Sequence, residues 1–194
     1  MQQTTTTKLY AYWNGIRNGR IAPQRFEVDP SRISGLLRET FIVECDENYS
    51  YRFRLAGTAV CQHFGRELRG VDLLNLWSLE DRRTLSATLD TVVGDGAVAH
   101  GTFFGITGRD REAAFEFVLL PLIHNGASIN RILGGITAVD RAFWMGADPV
   151  VALELRDIGL HWPDGAPGPL PTRNAEAALE ARSKFRVVQG GLSR

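Results

Sequence analysis

Two residues with metal-binding and nucleophilic chemistry, Cys61 and His63, lie close together in the sequence. Positions i and i+2 of a helix point to different sides, so this pair does not hold one ion without further ligands. His100, His124 and His161 are isolated in predicted strands or loops. Because a structural zinc site needs four convergent nitrogen or sulfur ligands, the sequence predicts no metal site.

Three carboxylates near or within one predicted helix, Glu80, Asp81 and Asp90, are the candidates for a general acid and base. Asp81 follows Ser78 by three residues, which is the spacing of a helix N-cap. We interpret Glu80 and Asp90 as part of a solvated face. The sequence also lacks a Walker glycine loop, a dinucleotide fingerprint and a nucleophile elbow. These observations predict no catalytic residues.

Basic side chains near predicted helix ends and loops are the candidates for recognising an anion. A solvated or salt-bridged surface is the competing interpretation of such scattered arginines. For polar or anionic contacts to a ligand we single out His63, Arg66 and Arg69, and the wider group of arginines also includes Arg17, Arg20 and Arg25.

The composition favours one globular domain with tails. The chain has 194 residues, 44% of them hydrophobic, and its 22 basic side chains balance 22 acidic ones, so nothing suggests a nucleic acid partner. Two cysteines in a chain of this length indicate a reduced compartment. The threonine-rich start has no apolar signal region and no apolar run is long enough to cross a membrane, so we expect a cytoplasmic protein.

Several segments show the pattern of helices. An apolar stripe with the i, i+3, i+4, i+7 spacing, made by Leu9, Tyr12, Trp13 and Ile16, predicts a first helix that ends near Gly19. Short helical fragments are expected over 60–64 and 73–77. The Ser78 cap then predicts a longer helix that ends at Gly94, with Leu85 and Leu89 on its inner face.

The remaining segments show the pattern of strands. A hairpin is predicted around 41–43 and 51–55, and a three-stranded meander over 98–106, 113–123 and 132–139. After it, the alternation of Leu153 and Leu155 with charged residues suggests an added strand, and a helix capped by Asp148 and Pro149 is the competing interpretation. We expect residues 1–7 to be disordered, a domain over 8–160, and a Pro/Gly-rich linker and tail over 161–194.

This order of elements closes one antiparallel sheet whose helices cover one face, which is the architecture of the PAS fold. Four segments resemble a family of stand-alone PAS domains of bacteria, mainly alphaproteobacterial, and the resemblance covers about residues 8–160. Their sequences are Leu-Tyr-Ala-Tyr-Trp at 9–13, Arg-Asn-Gly-Arg-Ile-Ala-Pro at 17–23, Tyr-Arg-Phe-Arg-Leu-Ala-Gly-Thr at 51–58 and Phe-Gly-Arg-Glu-Leu-Arg-Gly at 64–70.

The resemblance implies an α+β fold with a five-stranded sheet, one added strand or none, and an extra N-terminal helix. It also implies a sensory or regulatory role without a fused kinase or cyclase. The flanks of Cys61 do not match the reactive cysteine motif of the flavin-binding members, and residues 80–94 contain no axial histidine for haem. The cofactor therefore stays unknown, with flavin and haem disfavoured.

The resemblance places a ligand between the sheet and the helices, where predicted apolar positions meet. For each of these residues, plain core packing is the competing interpretation. The pocket would be lined by Phe64, Trp77, Leu85, Leu89, Phe103, Phe117 and Leu119.

Members of this fold commonly pair through an N-terminal helix, which makes Tyr12, Trp13 and Ile16 the candidates for a homodimer interface. Packing of that helix on its own domain looks the same in sequence. Three functions stay open. The first is a sensor that binds a small molecule and signals to a protein partner, the second is a ligand-free interaction module that dimerises, and the third is a small cone-fold enzyme.

Overall fold

The computed structural model describes residues 1–140 and 142–165 of the chain. The helices are α1 (Thr4–Arg17), α2 (Thr58–Phe64) and α3 (Leu79–Asp95), and 3₁₀ segments lie over Arg25–Glu27, Pro30–Glu39 and Leu73–Leu76. The strands are β1 (Thr40–Cys45), β2 (Tyr51–Ala56), β3 (Val98–Thr107), β4 (Glu112–Ile123), β5 (Ile129–Ala138) and β6 (Val150–His161).

The six strands form one antiparallel sheet in the order β2-β1-β5-β4-β3-β6. The predicted α+β fold is confirmed, and so is the added strand, because β6 pairs with β3 along its whole length. The competing helix after Asp148 and Pro149 is wrong. Leu153 is buried between its exposed neighbours Ala152 and Glu154, as the alternation of a strand requires.

The inner face of the sheet is covered by α2, α3 and the 3₁₀ segment Leu73–Leu76, and it holds the larger apolar cluster of the domain. Helix α3 begins where predicted, since the Ser78 hydroxyl accepts from the backbone N–H of Asp81 at 3.2 Å. It ends at Asp95, one residue later than predicted, where Gly96 takes a left-handed φ of 67°.

The glycine pair in β5 serves close packing on both faces of the sheet. A Cβ at Gly134 would lie 2.0 Å from the Phe41 ring, so this ring can reach the inner face only over a glycine. A Cβ at Gly135 would lie 3.0 Å from Leu9 on the opposite face. The pair therefore admits a core aromatic on one side and α1 on the other.

Helix α1 packs on the outer face of the sheet, against β4 and β5. Leu9 and Trp13 are fully buried there, and the indole N–H of Trp13 donates to the carbonyl of Pro121 at 2.8 Å. The helix begins at Thr4, so the assignment of residues 4–7 to a disordered N-terminus is wrong.

The N-terminal end of α1 is anchored by a carboxylate that is remote in the sequence. Glu116 of β4 is buried and accepts from the backbone N–H of Gln2 at 2.7 Å, of Gln3 at 3.1 Å, and from the Thr6 hydroxyl. A negative charge at this end of a helix is favourable, because the first N–H groups have no partner within the helix. Local sequence patterns could not show an anchor from another strand.

The far end of α1 is held by the end of β6. The Tyr10 hydroxyl lies 3.0 Å from Nε2 of His161, and Arg17 makes two hydrogen bonds of 2.9 Å to the Asp164 carboxylate. His161, where the predicted linker begins, is thus the last residue of a strand. The rest of the predicted linker and tail, 166–194, lies outside the described residues.

Candidate functional site

Six of the seven residues predicted to form a pocket surround one small space between α3 and the sheet. This cavity has a volume of about 20 Å³. Phe64 is buried in the same apolar cluster but does not line the cavity. The lining residues are Phe41, Leu73, Leu74, Trp77, Leu85, Leu89, Phe103, Phe117, Leu119 and Ile136.

Aromatic rings fill most of the space where a ligand was expected. Trp77, at the end of the Leu73–Leu76 segment, meets Phe103 of β3 edge to face, with the ring centres 5.1 Å apart. Phe103 in turn stacks on Phe115 of β4 at 5.1 Å. The remaining volume is close to that of one water molecule, whereas ligand pockets measure roughly 300–1,000 Å³.

One polar atom in this region lacks a partner. The indole N–H of Trp77 is buried and makes no hydrogen bond with any described residue. An unsatisfied buried donor costs about 1–3 kcal/mol, so native structures contain few of them. Trp77 therefore contributes a buried hydrogen-bond donor to this apolar core that no described residue accepts.

A buried polar pair that the sequence did not reveal lies beside the core. The Tyr51 hydroxyl of β2 donates to Oδ1 of Asp90 in α3 at 2.9 Å. Burial, together with the Asp90 carboxylate, raises the pKa of Tyr51 far above its usual value. The assignment of Asp90 to a solvated face is wrong, because this residue is only 8% exposed. Residue type alone could not show that a charged position faces the sheet.

His63 lies in α2, half-buried, with its ring edge-on to Phe115 at 5.0 Å. Burial lowers the pKa of His63, and the Glu39 carboxylate partly offsets this. Within the described part of the chain, no carboxylate forms a hydrogen bond with it. Arg66 and Arg69 are exposed and, like His63, do not line the cavity. The structure therefore does not bring the three predicted polar contacts to the pocket.

The carboxylates considered for catalysis also do not converge. The backbone N–H of Asp81 donates to Ser78, the N-cap of α3, and its Oδ2 accepts from the backbone N–H of Leu155, which ties the helix to β6. Glu80 is exposed. Cys61 lies 3.7 Å from a Glu67 oxygen. Over residues 1–140 and 142–165, no three His, Cys, Asp or Glu side chains are placed to hold a metal ion.

The candidate dimer residues of α1 divide into two groups. Trp13 is buried within its own subunit, so its assignment to a dimer interface is wrong. Tyr12 and Ile16 are partly exposed. Tyr12 also accepts from the backbone N–H of Asp29 at 2.7 Å, which fixes the chain after α1.

The fold and this packed core together define the class of protein. An antiparallel sheet in the order β2-β1-β5-β4-β3, with short helices and one longer helix over its inner face, is a PAS fold. A family model described as PAS domain matches residues 1–137, from before α1 to the penultimate residue of β5. The chain belongs to the PAS domain family, and β6 lies beyond the matched region.

Two solved structures are similar to this chain. One is a LOV protein of Rhodobacter sphaeroides, with 12% identity, a TM-score of 0.45, and coverage of 60% of this chain and 71% of that one. The other is the PAS domain of a protein from Colwellia psychrerythraea, with 12% identity, a TM-score of 0.43, and coverage of 56% and 94%. No curated protein matched the chain.

PAS domains are in general sensory modules without catalytic activity, so this chain is a sensory or regulatory PAS domain. None of the helices in the described residues is long and apolar enough to cross a membrane.

Proposed function

We propose that this PAS domain acts as a regulator through protein–protein contacts, with its core filled by its own side chains. The observation that supports this proposal is the cavity of about 20 Å³ where a ligand would lie. Binding a metabolite of ordinary size there would require several buried rings to leave their positions. Such a rearrangement removes contacts that stabilise the fold, and each displaced aromatic side chain costs several kcal/mol.

Contacts with a partner need accessible apolar surface, and the domain offers some. Phe26 is 83% exposed, Leu79 82% and Phe143 89%. Where such side chains form a contiguous patch, they are typical of a surface that another protein covers. The partner is either a second copy of this chain or a different signalling protein.

Mass spectrometry of the purified protein under denaturing conditions tests the proposal. We expect no co-purifying small molecule and no thermal shift with a panel of metabolites. Light scattering over a range of concentrations then reports whether the chain pairs with itself. A stoichiometric released ligand would contradict the proposal, and so would a strict monomer that captures no partner.

A second candidate function, a sensor of a small ligand in the core, is favoured by the unpaired N–H of Trp77. A ligand with an oxygen acceptor would satisfy this donor if the core opened around it. Trp77→Phe keeps a ring and removes the N–H. A metabolite that stabilises the wild type but not this variant would support the sensor, with Trp144→Phe, buried in the same cluster but away from the cavity, as the matched control.

A further inference from the structure

The outer face of the sheet is only half covered by α1. Beside the start of α1, a groove of about 720 Å³ crosses β3, β4 and β6. Its apolar floor includes Phe104, Ala114 and Val139, and one wall is formed by residues 1–3. An open apolar floor of this kind is a typical docking surface.

This open half of the face is acidic. Cross-strand partners lie on one face of a sheet, and the pairs Phe104–Glu154, Thr102–Asp157 and Ile106–Glu112 place three carboxylates around the floor. Arg156 and His100 are the basic side chains in the groove lining. Burial lowers the pKa of His100, and the Arg156 guanidinium lies 4.8 Å from the centre of the Phe104 ring. The surface is therefore suited to a segment that is both basic and apolar.

The whole chain has no net charge, but its C-terminal part is basic and the rest of the chain is acidic. Residues 166–194 carry five basic and two acidic side chains, which leaves 17 basic and 20 acidic ones in residues 1–165. The basic residues are densest at 182–186, where Arg182, Lys184 and Arg186 flank Phe185, and two valines follow. This segment has the composition that the groove requires.

The position where the chain leaves the sheet allows this contact. Asp164 is held by Arg17 at one end of α1, and the groove lies at the other end. A helix of 14 residues is about 21 Å long, whereas the 16 residues from 166 to 181 can span up to about 53 Å. Since a tethered segment is present at roughly millimolar effective concentration, weak complementarity is enough for occupancy.

We propose that residues 182–188 of the same chain dock in the outer-face groove, with Phe185 on its apolar floor and the basic side chains against Glu112, Glu154 and Asp157. The contact covers a surface that a partner would otherwise reach. It depends on the charge and shape of the outer face, so it is independent of whether the core binds a ligand.

Zero-length carbodiimide crosslinking of the full chain tests this docking, because Lys184 is the only lysine besides Lys8. We expect a crosslink within one monomer from Lys184 to Glu112, Glu154 or Asp157. Its yield should fall several-fold when salt rises from about 0.05 M to about 0.5 M, since the Debye length shrinks. Absence of this crosslink, or a crosslink found only between two chains, would overturn the proposal.

Two variants test whether the crosslink depends on docking of this segment. Phe185→Ser should lower the yield without changing any charge. Combined Lys184→Ser with Ser183→Lys exchanges the two residues, keeps the charge and should preserve a crosslink from the neighbouring position. Glu47→Gln with Glu80→Gln, exposed carboxylates of the β1–β2 turn and of α3, is the control and should leave the yield unchanged. An unchanged yield in Phe185→Ser would show that the Lys184 amine reaches the carboxylates by random encounter, without docking of the segment.

Discussion

The two faces of the sheet hold their helices by different means. On the inner face, α3 is held mainly by apolar contacts, and Leu85, Leu89 and Val92 are almost fully buried. On the outer face, α1 adds directed polar contacts at both ends, to Glu116 at its start and to Asp164 at its end. Helix α3 also accepts two hydrogen bonds, from Leu155 to Asp81 and from Tyr51 to Asp90. The inner face therefore depends mainly on volume, whereas the outer face adds an ion pair and a bound carboxylate at the two ends of α1.

This difference predicts different responses to change. Apolar burial has no preferred direction, so loss of a buried side chain weakens the whole fold in proportion to the space left behind. Hydrogen bonds and ion pairs respond to pH and salt, and they can break at one end of a helix while the rest of the domain stays folded. We expect α1 to open locally and α3 to unfold only with the domain.

Leu89→Ala should have the largest effect. Leu89 is fully buried beside the cavity, so its loss leaves an enlarged hole and should lower the free energy of unfolding by about 2–5 kcal/mol, as measured by urea denaturation. Leu79→Ala on the same helix is the control, since Leu79 is 82% exposed and should change stability by less than about 0.5 kcal/mol. Equal losses in both variants would refute the volume argument.

Glu116→Gln should act on the outer face alone. The amide keeps one acceptor but turns its NH₂ group toward N–H donors, so α1 should lose about 1–3 kcal/mol of local stability. Hydrogen exchange of the α1 amides measures this loss. Glu112→Gln, an exposed position on the same strand, is the control. If α3 exchanged faster to the same extent as α1, the two faces would not be independent.

The sequence predicted what short-range patterns determine. Strand-like runs separated by turn residues predicted β3 and β4, alternation predicted the added β6, and the Ser78–Asp81 spacing predicted the start of α3. These features depend on residues only a few positions apart. They were confirmed because the same residues that set local propensity also face the core.

Contacts between residues that are far apart in the sequence could not be predicted. Glu116 anchors the start of a helix that lies about 110 residues away, and buried Asp90 accepts a hydrogen bond from Tyr51 of a distant strand. The size of the cavity was also not predictable, since the same Trp77 and Phe103 can line a ligand or replace one. Periodicity reports which side chains point inward, but not how completely they fill the space.

The pH dependence of stability tests the packing of His63 on the inner face. Burial lowers the pKa of His63 below its usual value, so the unfolded chain binds a proton more readily than the folded one. Stability from this residue is present above about pH 6.5, the usual pKa of histidine, and is lost as the pH falls through the lowered pKa. His63→Gln should flatten the pH dependence of the melting temperature in this range. An unchanged slope would show that His63 is not the responsible group.

Asp164→Asn should have the smallest effect, and it should be local. Arg17 lowers the pKa of Asp164 through their hydrogen bonds, so the ion pair persists above the usual aspartate pKa and weakens as the pH falls through the lowered one. Asp164 is largely exposed, and Arg17 keeps its bonds to Asn14 and to the Arg20 carbonyl. The substitution should therefore cost less than about 1 kcal/mol. Hydrogen exchange near Arg17 should rise at low salt and change little at high salt, while Asp110→Asn on an exposed turn changes neither. A loss that also reached α3 would mean that the end of β6 supports both faces of the sheet.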